Sequence, residues 1–175
     1  MRSAERHRLE PYLKRLFGFA YGLSGEREQA RDLVQECALK ALATHRTPRD
    51  EPAYRAWLFT ILRNLFIDRQ RSNREAPAVP DPERAPESWE IWRSDEYLMT
   101  ALTVRLAMAK LSAPHREIIA LVDLAGFSYA ETAALLGVPA GTVMSRLSRA
   151  RQALLGLIID NNVRELPRQR GGESR

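Results

Sequence analysis

The chain has a single cysteine, Cys37, so an internal disulfide and a cysteine-based metal cluster are both excluded. Histidine is nearly as scarce. His7, His45 and His115 are scattered without ligand spacing, so neither a metal nor any other cofactor is expected. No apolar run approaches the length of a membrane span. No signal-peptide-like apolar segment follows Met1-Arg-Ser-Ala-Glu-Arg-His-Arg8, and a cytoplasmic protein is expected. Catalytic constellations are missing too: there is no nucleophile–base set and no phosphate loop. Asp32 with Glu36 forms an i, i+4 acidic pair, but on an ordinary amphipathic helix without a partner His or Cys, so no enzyme is expected. There is no internal repeat, and sheet content is expected to be close to nil.

What is present is an ordinary globular composition, 45% hydrophobic and 28% charged. The net charge of +5 and a pI near 9.8 lean towards a polyanionic partner. Residues 9–74 read as helical, broken near Gly25 and around Pro48 to Pro52. From about Arg27 to Ala43, Ala30, Leu33, Val34, Cys37, Ala38, Ala41 and Leu42 hold the i, i+3, i+4, i+7 spacing. Cys37 on that stripe is read as a buried small hydrophobe. The opposite face carries Asp32, Gln35 and Glu36, with Leu39 beside them. A helix from about Ala53 to Arg71 is expected to bury Tyr54, Trp57, Leu58, Ile61, Leu62 and Leu65. It leaves Arg55, Phe59, Arg63, Asn64 and Arg71 nearer the surface, with Asp68 pairing to an arginine at i+3.

Residues 75–97 break the pattern. Pro77, Pro80, Pro82 and Pro86 forbid regular helix, and acidic side chains outnumber Arg84 and Arg93. This reads as an extended acidic linker with Trp89 and Trp92 as anchoring side chains, leaving the relative geometry of the flanking domains unfixed. Helical patterning resumes over residues 98–159. Asn161, Asn162 and Pro167 are expected to end it, leaving 160–175 as a disordered tail. The fold class is therefore all-α: two small helical domains joined by a Pro-rich acidic linker.

The stretch from Ser128 to Arg151 is the most specific. Ser128 followed three residues later by Glu131 is a capping box. Gly137 sits at a helix stop, and Pro139 prevents the first helix from continuing. In the next helix Val143, Leu147, Ala150 and Leu154 share one stripe, while Ser145, Ser148, Arg149 and Gln152 point the opposite way. Arg146 and Arg151 lie on the flanks. Two short helices joined by a tight turn form a helix-turn-helix, which places its second helix in the DNA major groove. Small hydroxyls and one arginine outward suit base-edge reading; flanking arginines suit phosphate contact.

Three runs carry a family resemblance: Glu28-Gln-Ala-Arg-Asp-Leu-Val-Gln-Glu-Cys-Ala-Leu-Lys-Ala-Leu42, Trp57-Leu-Phe-Thr-Ile-Leu-Arg-Asn-Leu-Phe-Ile-Asp-Arg-Gln-Arg71 and Gly141-Thr-Val-Met-Ser-Arg-Leu-Ser-Arg-Ala-Arg151. In this order, split by an acidic linker, they resemble the extracytoplasmic-function (ECF) sigma factors, two-domain specificity subunits of bacterial RNA polymerase. The resemblance implies a docking face for core polymerase at Asp32, Gln35, Glu36 and Leu39. It implies engagement of the −10 promoter element by Arg63, Asn64 and Arg71, with Asn64 lining a pocket for a flipped base and the loop His45 to Ala53 forming its other wall. It implies reading of the −35 element by Thr142, Met144, Ser145, Arg146, Ser148, Arg149, Arg151 and Gln152. Met144 departs from the family, which commonly has Lys or Arg there. The linker resembles the segment that threads towards the polymerase active-site cleft. Expected partners are core RNA polymerase, promoter DNA and an anti-sigma factor.

Other readings were a stand-alone helix-turn-helix regulator, a decoy that only captures an anti-sigma factor, and a recombinase with a helix-turn-helix tail. The first leaves the Asp32 to Leu39 face and the linker unexplained. The second has no use for Arg63, Asn64, Arg146 and Arg149. The third requires a mixed α/β catalytic domain that the sequence does not show.

Overall fold

In a computed structural model, residues 2–72 and 95–164 are described, with side chains for 5–72 and 101–160. Among the described residues every regular element is a helix and there is no strand. Helix α1 (Arg2–Leu9) runs through a 3-10 turn (Glu10–Tyr12) into α2 (Leu13–Ser24), followed by α3 (Arg27–Ala43) and α4 (Glu51–Ser72). The second half comprises α5 (Asp95–Lys110), α6 (Ala113–Ile119), a π-helical turn (Ala120–Leu124), α7 (Tyr129–Leu136) and α8 (Ala140–Arg164).

Local chemistry explains the boundaries. Gly25, at φ 71°, closes α2 in the left-handed region, its N–H donating to the Tyr21 carbonyl at 2.8 Å. Asp50 caps α4, accepting from the Ala53 N–H at 3.0 Å. The capping box on α7 forms in both directions: Glu131 N–H to Ser128 Oγ at 3.2 Å, and Ser128 N–H to Glu131 Oε2 at 2.8 Å.

Helices α2, α3 and α4 enclose one core built on Leu16, Phe19, Leu33, Cys37, Leu58 and Leu62, all fully buried. The Cys37 thiol donates to the Leu58 carbonyl at 3.4 Å, as fits its reading as a small core residue. A second core joins Leu111, Ile118, Ile119, Val143, Leu147 and Ala150 across α6 and α8. Here the stripe expected on α8 is the buried one.

Five expectations change. Phe59 is not near the surface but fully buried, between Phe19 and Phe127 at centroid distances of 5.3 and 4.8 Å. Helix α4 is covered on two sides, because the C-terminal half packs on the face that a lone amphipathic helix would leave to water. The relative geometry of the halves is accordingly fixed: Ala120, Leu121, Ala125 and Phe127 belong to the first core. Asn161 and Asn162 do not end α8, which continues to Arg164; helix already formed on an apolar face adds each residue at little cost. At the other boundary α5 starts at Asp95, inside the expected linker. The Asp68 side chain makes no ion pair with a described residue; Arg69 pairs instead with Asp32 and Glu36 on α3. Trp89, Trp92 and residues 165–175 lie outside the described residues.

Candidate nucleic-acid and docking interfaces

Helix α8 exposes Met144, Ser145, Ser148, Arg149 and Gln152 in one outward row, with Thr142 and Arg146 half-buried at its margins. The row exists because Val143, Leu147 and Ala150 anchor the other face at 1% exposure or less. Two bonds stiffen it. Ser145 Oγ donates to the Thr142 carbonyl, and Arg149 Nε donates to the Ser145 carbonyl, each at 3.2 Å. The second lays the guanidinium along the exposed face. Arg151 is engaged differently: Nε and Nη2 both bind Asp123, at 3.2 and 2.5 Å. Its hydrogen bonds to this carboxylate hold the Arg151 pKa above its ordinary value.

The turn before α8 suits a DNA reader. Gly137, at φ 67°, ends α7 in the left-handed region, and Pro139 supplies the carbonyl that accepts from Thr142 and Val143 N–H. Helix α7 is thereby stopped after eight residues and α8 set off in a new direction.

On α4, Asn64 and Arg71 are exposed, whereas Arg63 is half-buried and held by Glu117 of α6, Nε to Oε1 at 2.6 Å. The loop 44–50 leads into the first turn of α4 and is pinned there by a residue that sequence reasoning missed. Arg8 donates to the Pro48 and Arg49 carbonyls at 2.7 and 2.9 Å and binds Glu51 at 2.9 Å. Its guanidinium also lies 3.9 Å over the Tyr54 ring. Glu51 accepts from the Tyr12 hydroxyl at 2.7 Å; this bond, then the one from Arg8, pulls its pKa down. An arginine in a basic N-terminal run gives no signal of this role.

On α3, Asp32, Gln35 and Leu39 are exposed and Glu36 is half-exposed. Leu39 is 62% exposed, an apolar side chain presented among acids. Glu36 bonds Arg69 at 3.1 Å and lies 3.5 Å from Lys40, while Asp32 sits 4.0 Å from Arg69. Such exposed pairs are worth about 0–1 kcal/mol and are readily exchanged for a partner's charges. The described residues hold no group of acids, histidines or cysteines suited to a metal ion, and no helix long and apolar enough to cross a membrane.

The sigma-70 region 2 family model matches residues 9–76, and that for sigma-70 region 4 matches residues 101–154. The chain is 40% identical over 147 residues to the ECF RNA polymerase sigma factor EcfG of Rhodopseudomonas palustris, covering 82% of this chain and 78% of that protein. This chain belongs to the ECF sigma factors. A similar relation holds to SigL of Mycobacterium tuberculosis, 40% identical over 145 residues, 79% of this chain and 80% of that one. Among solved structures it is similar to the sigma factor RpoE in complex with the anti-sigma factor NepR from Bartonella quintana. The TM-score is 0.74 and the identity 34%, over 88% of this chain and 96% of that one. The fold is also that of CnrH, solved with the cytosolic domain of CnrY, at TM-score 0.63 and 22% identity over 92% and 91% of the two chains. As a sigma factor the protein directs RNA polymerase to promoters at transcription initiation; it is a specificity factor and not an enzyme.

Proposed function

We propose that the two matched regions divide the promoter between them. In this reading residues 9–74 dock on core polymerase through Asp32, Gln35, Glu36 and Leu39, and engage the −10 element through Arg63, Asn64 and Arg71. Residues 98–159 read the −35 element through the outward face of α8. The single observation that supports this best is the exposed row Ser145, Ser148, Arg149 and Gln152, backed by a fully packed stripe on a helix whose predecessor is capped at both ends.

Arg149 is assigned to a guanine edge, where a bidentate contact is worth roughly 1–3 kcal/mol, and Ser145 and Ser148 to neighbouring edges. Met144 offers a thymine methyl an apolar surface in place of a cation. Thr142 and Arg146, at the margins, take phosphates, and Arg151 does so after exchanging Asp123 for a phosphate oxygen. On α4, Arg71 tracks the displaced backbone while Asn64 supplies hydrogen-bonding groups to an unstacked base. The protein works where RNA polymerase does, in the cytoplasm, and an anti-sigma factor regulates it. The likeness to a sigma factor solved with such a partner supports this last point.

Transcription of a randomised promoter pool tests the division. Arg149→Ala relaxes discrimination at one or two −35 base pairs and leaves −10 preference intact, whereas Asn64→Ala does the reverse. If both substitutions disturb the same positions, or neither element, one reader per domain is wrong.

A further inference from the structure

The guanidinium of Arg8, in the last turn of α1, hydrogen-bonds residues 40 to 43 positions away. Nη1 donates to the Pro48 carbonyl at 2.7 Å, Nη2 to the Arg49 and Asp50 carbonyls at 2.9 and 3.3 Å, and Nε to Glu51 Oε1 at 2.9 Å. The group lies 3.9 Å from the centre of the Tyr54 ring. Glu51 Oε2 accepts from the Tyr12 hydroxyl, and the Tyr12 ring meets Tyr54 edge-on at 5.9 Å. Arg8, Tyr12, Glu51 and Tyr54 thus close a ring of contacts around the end of the loop 44–50. A planar fork of donors makes this set at once, and an ammonium group does not.

The loop so held is basic and open. His45, Arg46 and Arg49 are exposed, and none of the three side chains forms an ion pair or hydrogen bond with a described residue. Local bonds tie both ends: Thr44 Oγ1 donates to the Lys40 carbonyl at 2.8 Å, and the Asp50 carboxylate accepts from the Ala53 N–H. Helical spacing says what lies next to it. Ala53, Trp57, Thr60, Asn64 and Arg71, at steps of four, three, four and seven residues, share one side of α4. That side is exposed at Ala53, Asn64 and Arg71 and half-buried at Trp57 and Thr60, and it ends at the loop. A strand running along it from Arg71 reaches the loop about 20 Å beyond Asn64, or about six nucleotides at duplex spacing.

We propose that Arg8 is a positioning residue for promoter engagement: it holds the loop 44–50 in one shape, so that Arg46 and Arg49 meet phosphates of the single strand that passes Asn64 along α4. Arg8 itself touches no DNA, because its donors are taken up within the chain. The proposal rests on the assignment of the −10 element to α4. Two physical effects follow from the clamp. A loop ordered before the strand arrives does not lose that conformational freedom on binding. The clamp also engages the nearest carboxylates, Glu51 through Arg8 and Tyr12 and Asp50 through the Ala53 N–H. Neither is then left to neutralise Arg46 or Arg49, whose charges stay available to a polyanion.

The test is binding of core polymerase, loaded with the full chain, to a fluorescent single-stranded oligonucleotide carrying the −10 sequence that the promoter pool favours. Arg46→Ala and Arg49→Ala are each expected to weaken binding severalfold and to lower its log–log salt slope by about 0.7, as for one phosphate contact on a single strand. Arg8→Ala is expected to weaken it at least threefold. In that background Arg49→Ala should cost less than a further twofold, because a loop no longer held does not present its cations in place. A staple acting on stability alone would leave the Arg49→Ala penalty at its full size. Arg8→Lys keeps the charge but not the fork, so it is expected to behave as Arg8→Ala does, and it carries the test if the alanine variant fails to fold. Wild-type affinity in Arg8→Lys overturns the proposal, as do Arg8→Ala and Arg49→Ala penalties that multiply in full. Wild-type affinity in both Arg46→Ala and Arg49→Ala overturns it too. Failure of the −10 assignment is read separately, from unchanged affinity in Asn64→Ala.

Discussion

Phe127→Ala is the sharpest test of how the halves are joined. Phe127 is 3% exposed and lies in the turn before α7, yet it belongs to the core of the N-terminal helices and not to the one formed by α6 and α8. Truncating a buried phenylalanine costs about 3–5 kcal/mol in transfer and cavity terms. Loss of the edge-on contact with Phe59 accounts for about 0.5–1.5 kcal/mol of this, and loss of the Arg55 guanidinium over the ring for about 0.5–2 kcal/mol, since Arg55 is largely desolvated. The cost falls on the joint between the halves, because the side chains that hold α6 to α8 are untouched. Calorimetry of the wild type should show one cooperative transition. In Phe127→Ala it should split in two, the first lowered by on the order of 10 °C at about 2–4 °C per kcal/mol for a chain of this size. A single sharp transition with a loss below about 1 kcal/mol, the range of an ordinary surface substitution, would refute the shared core.

Replacing both Asp32 and Glu36 with Lys should abolish pull-down of core polymerase while circular dichroism stays unchanged, since neither side chain is in the core; retained co-purification would move the docking face elsewhere. Arg146→Ala should lower activity on all promoters about equally and reduce the salt dependence of binding by about one unit of slope, as for one lost phosphate contact. Cys37, fully buried with its pKa raised to about 12 by desolvation, should resist a thiol reagent at pH 8 in the folded chain and react at once in denaturant; fast labelling of native protein would contradict its burial. The sign follows from burial disfavouring the thiolate, so native reactivity should rise only towards strongly alkaline pH.

Much of the molecule is local and was legible residue by residue. The capping box at Ser128 and Glu131, the stop at Gly137 and the stripe of Val143, Leu147 and Ala150 each depend on neighbours within a few positions. So the helix-turn-helix and its outward row could be read from spacing alone. The α3 stripe through Leu33 and Cys37 was legible for the same reason, and with it the exposed acids opposite. What periodicity cannot reveal is a second buried face. Phe59 looks solvent-facing on a helix judged against one core, and only the arrival of Phe127 from a segment far along the chain buries it. Arg55 and Arg63 read as residues nearer the surface with no hint of their internal partners, because an ion pair such as Arg63 with Glu117, across 54 positions, leaves no trace in local spacing. Gly22 carried a faint signal, a glycine inside an apolar helix, but what approaches it is decided by the packing of the π-helical turn. The sequence by itself determined the helices, their caps and their outward chemistry, since these follow from short-range backbone and side-chain forces. The tertiary structure alone decided that the two halves share a core, because that depends on shape complementarity between surfaces separated by the linker.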